Sequence, residues 1–187
     1  MVRDLRGKTI ALVWDLASTD LQALACDEEC PLAELALLLA DGILGVAEMH
    51  RHGMIHRDLK PPNFLVFDLP DNTRRCKVAD YDLAVPADIH AGAIVNCSIG
   101  ACIAAILYNK MDPSKLIPRL HTKSAQSEYA TILDEAMAVY DNKADGRLVR
   151  ALLDAALTLT SRLPARRISR FGSLEVLADM IRNVALA

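Results

Sequence analysis

No stretch of this 187-residue sequence is apolar for long enough to span a bilayer. The longest apolar segment, Leu32 to Met49, is interrupted by Glu34, Asp41 and Glu48, charges that a membrane interior rarely tolerates, and it is expected to be a core helix instead. The opening MVRDLRGKTIALVW joins basic residues to an apolar run too short for a signal peptide and without a small-residue cleavage site, so no secretion signal is expected. Charge of one sign is also missing. The 21 Lys and Arg against 24 Asp and Glu leave a net charge of -3, which with 52% hydrophobic residues argues against a disordered chain and against a nonspecific nucleic-acid binder. Paired cysteine spacing is lacking too. Cys26, Cys30, Cys76, Cys97 and Cys102 are odd in number, which fits reduced thiols in a cytosolic or nuclear compartment. Cys26 and Cys30 fall on one helical face, but no second Cys or His pair of suitable spacing answers them as zinc ligands. There is no internal repeat and no low-complexity linker.

What remains is enough for one domain with a core of its own. Thr9 to Leu16, rich in Ile, Leu, Val and Trp, has the length of one buried strand. Asp20 suits the N-cap of a helix beginning at Leu21. Pro31 opens a second helix in which Leu32, Leu35, Leu38, Leu39, Ile43, Val46 and Met49 recur at helical spacing, and Gly53 ends it. A helix apolar on most sides belongs at the centre of a helical layer. His50 and His52 sit at its C-terminal end, where cationic side chains complement the macrodipole. Phe64 to Phe67 and Arg75 to Ala79 read as a hairpin around the polar turn Asp71-Asn72-Thr73. Tyr129 to Tyr140, Leu148 to Leu159 and Ser173 to Val184 read as later helices.

Between the long helix and the hairpin lies MIHRDLKPPNFLV, residues 54 to 66. His56-Arg57-Asp58-Leu59 followed by Asn63 resembles the HRDLxxxN catalytic loop of protein kinases, and Lys77-Val78-Ala79-Asp80-Tyr81-Asp82-Leu83-Ala84 resembles their DFG segment in altered form. TIALVWDLASTDLQAL, residues 9 to 24, is similar to the last small-lobe strand, hinge and first large-lobe helix, in the style of cyclin-dependent kinases. Ser98 to Leu107 resembles the central large-lobe helix, and Ser161 to Arg167 the loop before the final one. The resemblance is strong over residues 32 to 84 and thinner elsewhere. It implies a mainly α fold: a single domain over residues 1–187 corresponding to the large C-terminal lobe of a serine/threonine protein kinase, with a short β hairpin at the catalytic loop and one residual hinge strand.

The same resemblance implies roles. Asp58 would orient the substrate hydroxyl and accept its proton, and Lys60 would steady the transferred phosphoryl group. Asn63 and Asp80 would hold magnesium. Trp14 takes the gatekeeper position, the backbone groups of Asp15 and Ala17 would meet the adenine of ATP, Asp20 would lie near its ribose, and Leu65 would form an apolar floor beneath the base. His56 and Arg57 fill scaffold positions. The chain departs from the family pattern in lacking a glycine-rich loop, a VAIK lysine and its glutamate partner, and an APE segment, so Arg166 or Arg167 has no APE glutamate to pair with. Asp82 stands where the family has glycine. Two readings follow. The first is a kinase-like lobe using ATP and Mg2+ on protein hydroxyls, impaired as an isolated chain, with a small lobe supplied by another chain. The second is a noncatalytic, pseudokinase-like module that binds a regulatory protein. Neither involves nucleic acid or a membrane.

Overall fold

The computed structural model describes residues 2–3, 6–7, 9–11, 14–87, 91–110, 145–161 and 171–187. In chain order these form strands β1 (Val2–Arg3), β2 (Thr9–Ala11) and β3 (Thr19–Asp20), and helices α1 (Leu21–Cys26) and α2 (Leu32–Arg51). Next come β4 (Met54–Ile55), a 3-10 turn (Pro61–Asn63), β5 (Phe64–Asp68), β6 (Arg74–Val78) and β7 (Val85–Pro86). Helices α3 (Ala91–Lys110), α4 (Gly146–Leu159) and α5 (Leu174–Ala185) complete them. The fold is mainly helical, with small antiparallel sheets ordered β1-β2, β3-β5-β6 and β4-β7. The expected helices at residues 129–140 and the loop at 162–167 lie outside the described residues.

Helix α2 forms where apolar periodicity predicts it, with Pro31 as N-cap and Gly53 just beyond its end at φ 69°. Proline tolerates that first position because it has no N–H to leave unsatisfied, and glycine accepts the left-handed turn that stops the helix. Leu35, Leu39, Ile43 and Val46 are essentially inaccessible to solvent, so α2 is the helix about which α5 and the β5-β6 hairpin pack. Helices α3 and α4 pair beside it, and α1 lies on α3. Lys110, at the end of α3, closes that contact by donating to the Asp27 carbonyl and to the Cys30 carbonyl at 2.7 Å. Asp41 joins three elements: from α2 its Oδ1 meets Arg182 of α5 at 2.5 Å and Arg75 of β6 at 3.5 Å.

One expectation fails here. The run from Thr9 to Leu16 does not end as a buried strand: β2 covers Thr9–Ala11, while Trp14 and Leu16 lie outside any strand and are 79% and 96% exposed. Apolar side chains are buried only if a second layer covers them, and no described element covers Trp14 or Leu16. The single residual strand is correspondingly replaced by two short ones. β2 pairs with β1, while β3 joins the hairpin through the register Thr19↔Val66 and Asp20↔Leu65.

The end of α2 carries a buried polar atom. His50 Nε2 is shielded from solvent and has no hydrogen-bond partner among the described residues, in a cavity of about 370 Å3 that Phe171, Leu174 and Leu177 also line. Loss of hydration lowers the His50 pKa below its ordinary 6.5, against the opposing pull of Glu175. The folded state therefore binds fewer protons than the unfolded chain, and stability rises with pH. The cost is absent above the unfolded pKa and grows as pH falls toward the folded one. Denaturant melts from pH 7.5 to 5.5 should show a smaller loss for His50→Gln than for the natural chain, and equal losses would count against this account.

Candidate functional site

The chain leaves α2 through Gly53 and enters β4, which pairs with β7 as Met54↔Pro86 and Ile55↔Val85. The Ala87 N–H donates to the Gly53 carbonyl at 2.8 Å, so residues 53 to 87 leave and return at one point. The polar residues of the site lie inside this excursion. His56, fully buried, donates from Nε2 to the Ala79 carbonyl at 2.7 Å and accepts the Asp58 N–H on Nδ1 at 3.3 Å. Those two partners match the Nε2–H tautomer, in which one ring nitrogen donates while the other accepts.

Pro61 and Pro62 start the 3-10 turn that presents Asn63, and the Asn63 N–H donates to the Lys60 carbonyl at 2.9 Å. Asn63 is 7% exposed, and its Nδ2 donates to the Asp58 carbonyl at 2.8 Å and to Asp58 Oδ2 at 3.3 Å. Both donors of the amide thus face Asp58, which leaves Oδ1 as the Asn63 atom suited to a cation. Lys60 Nζ meets Asp58 Oδ2 at 2.6 Å. That hydrogen bond, with the ammonium charge and the Asn63 amide behind it, holds the Asp58 carboxyl below the usual carboxylate range and raises the Lys60 pKa in return. Asp58 is therefore an anion at neutral pH.

Asp80 comes to this cluster through the backbone. The Ala79 N–H donates to the Asn63 carbonyl at 2.9 Å, next to the His56 bond on the Ala79 carbonyl. Asp80 then takes φ 65°, and its charge acts on the Lys60 ammonium. Non-glycine residues with positive φ are uncommon, and two of the three among the described residues, Arg57 and Asp80, flank the site.

Asp58, Lys60 and Asn63 are in mutual contact. The residues read as cofactor contacts are organised separately, by the hairpin. Asp15 pairs with Lys77 at 3.8 Å, and Ser18 donates from both its backbone N–H and its hydroxyl to the Val66 carbonyl at 2.9 Å. Ala17 and Leu65 are half-buried, and Leu65 stands opposite both Asp20 and Lys77. Asp20 does cap α1, accepting the Ala23 N–H on Oδ1 at 2.9 Å. Sequence reasoning gave no role to the backbone of Ala79 or to Tyr81, whose ring centroid lies 5.4 Å from that of His56. Its place directly after Asp80 was the available signal.

Among the described residues no group of three or more His, Cys, Asp or Glu is placed to hold a metal ion. Magnesium typically keeps several waters and takes few protein ligands beside substrate phosphates, so one amide oxygen and one carboxylate fit its chemistry. Two of the thiols are poor nucleophiles: burial pushes both Cys76 and Cys102 up to about 12, far from the thiolate form.

No family profile matches the chain. Parts of it are similar to known kinases. Cyclin-dependent kinase 7 of Caenorhabditis elegans is 36% identical over 87 residues, 44% of this chain and 25% of the relative. Serine/threonine-protein kinase ppk23 of Schizosaccharomyces pombe is 36% identical over 81 residues, 42% and 19% of the two chains. Calcium-dependent protein kinase 11 of Arabidopsis thaliana is 49% identical over 51 residues, 27% and 10%. The matched part spans a quarter or less of the length of each of these relatives. Such partial matches to several serine/threonine kinases, beside a carboxylate, lysine and asparagine cluster of this geometry, support a relationship between this chain and the protein kinase superfamily.

Proposed function

We propose that the chain is the large-lobe part of a serine/threonine kinase-like domain, 1–187, that binds ATP with Mg2+ and directs phosphoryl transfer to protein hydroxyls, with weak activity by itself. The observation that carries this reading is the Asp58, Lys60 and Asn63 cluster, bonded through the Asn63 carbonyl to the strand end that leads into Asp80. Magnesium, when bound, neutralises phosphate charge. Asn63 Oδ1 and Asp80 would hold it, Asp58 would orient the hydroxyl and take its proton, and Lys60 would offset charge on the transferred group. Asp15, Ala17, Asp20 and Leu65 would border the nucleotide. Asp82, in place of glycine, would add a further negative charge beside the metal site. The reading places the protein in the cytoplasm or nucleus; among the described residues, no helix is long and apolar enough to cross a membrane.

A cleft with one wall excludes less water, so each charge contact in it is weaker than in a closed site. Calorimetry with ATP should give a dissociation constant on the order of 1 mM with magnesium, and at least about tenfold weaker binding without it or in Asp80→Ala. Tight binding that Asp80→Ala leaves unchanged would overturn the proposed site. No binding at millimolar ATP would favour the second reading, a noncatalytic, pseudokinase-like module that binds a regulatory protein. That reading draws on the exposure of Trp14, Leu16 and Leu83, the last 55% accessible.

A further inference from the structure

Asp80 stands in a backbone conformation that a non-glycine residue rarely adopts, and such a conformation persists only where its surroundings over-determine it. The bonds on either side supply that determination. Before Asp80, Ala79 is held through its N–H by Asn63 and through its carbonyl by His56. After it, Tyr81 turns its side chain back, and its hydroxyl donates to the Val78 carbonyl at 2.5 Å. The Tyr81 carbonyl in turn accepts the Ala84 N–H at 2.9 Å. The Tyr81 ring lies against His56 at a 48° tilt, so one side chain touches both the strand end before Asp80 and the imidazole that braces it.

We infer that Tyr81 is a positioning residue whose hydroxyl, through the Val78 carbonyl, fixes the Asp80 backbone in this chain without help from a partner. A phenylalanine could make the ring contact but not the hydrogen bond. The hydroxyl therefore closes a small ring over residues 78 to 81 with Asp80 inside it, and reorienting Asp80 requires breaking that bond. The inference rests on the kinase-like reading only in giving Asp80 a ligand to meet.

Tyr81→Phe tests it in the full chain, because it keeps the ring and removes only the donor. Amide hydrogen exchange should accelerate about two- to tenfold at Ala79 and Ala84, the range expected for losing one neutral hydrogen bond, while amides of α4 exchange as in the natural chain. A merely structural role would speed α4 as well, through a global loss of stability, and that pattern would overturn the inference. So would unchanged exchange at Ala79 and Ala84. Calorimetry separates the two readings. If the natural chain binds Mg-ATP, Tyr81→Phe should weaken the magnesium-dependent part about two- to tenfold and leave the magnesium-free part alone; an unchanged magnesium dependence would refute positioning. If the natural chain binds no nucleotide but the local exchange still rises, the nucleotide reading fails and the hydroxyl's hold on Asp80 stands.

Discussion

Gly42→Ala is expected to destabilise the protein by about 2–3 kcal/mol, although alanine in a helix interior is normally favoured over glycine by about 1 kcal/mol. A Cβ at position 42 would lie 2.3 Å and 2.6 Å from two atoms of the Phe64 ring, well inside the distance at which carbon atoms touch. The ring has no exposed side toward which to retreat, since Phe64 is completely buried between α2 and the hairpin. Close-packed interiors transmit such a shift instead of absorbing it. Because Phe64 directly follows Asn63, the displacement should also disturb the Asn63 to Asp58 hydrogen bonds. Denaturant unfolding checks the size, and a double-mutant cycle checks the cause. Gly42→Ala combined with Phe64→Leu should be more stable than the sum of the single losses predicts, by about 1 kcal/mol or more. Strict additivity of the two would mean that the ring is not the obstacle.

Gly100→Ala should cost about 3 kcal/mol, for a different reason. Here the added Cβ meets Leu159 Cβ at 2.7 Å, Thr160 Cγ2 at 3.0 Å and the Ala156 carbonyl oxygen at 3.2 Å. The Ala156 oxygen is backbone and Leu159 Cβ is one bond from it, so no rotamer change clears them; Thr160 Cγ2 is held in place by the Thr160 hydroxyl bond to the Ala156 carbonyl at 2.8 Å, and α3 must move away from α4 as a whole. Trimming Leu159 to alanine leaves its Cβ in place. Gly100→Ala with Leu159→Ala should therefore be no more stable than additivity predicts, in contrast to the Gly42 pair. A melting temperature for Gly100→Ala within a degree of the natural chain would show that the two helices are not in this close register.

Much of the frame was legible because its signals are local. Pro31 and Gly53 bracket α2, the Asp71-Asn72-Thr73 turn sets the hairpin, and Asp20 caps α1 in the structure as its residue type suggests. Trp14 and Leu16 misled for a physical reason: hydrophobicity states a preference for burial but not whether a neighbour exists to provide it. In the site, the spacing of Asp58, Lys60 and Asn63 was readable as a motif, whereas the way they are held was not. The Asn63 amide turned toward Asp58, the His56 bridge to Ala79 and the Tyr81 hydroxyl are contacts between residues whose separation the sequence does not disclose. The β4-β7 pair involves two residues on each side, too few to leave a period-two pattern. Asp41 looked like an interruption of an apolar helix, and it is the carboxylate to which both Arg75 and Arg182 attach.

The closure at Gly53 and Ala87 bears on the order in which the chain acquires structure. Because β4 meets β7 inside one continuous segment, the hydrogen bonds linking His56, Asp58, Asn63, Ala79 and Tyr81 all form between residues no more than 23 positions apart. Contacts of short sequence separation carry a modest loop-closure cost and are made early. The α2 to α5 contact, with its Asp41 to Arg182 bond across 141 positions, must close a far longer loop. Mutations within residues 53 to 87 should therefore slow refolding, while those at the Asp41 to Arg182 bond should chiefly accelerate unfolding.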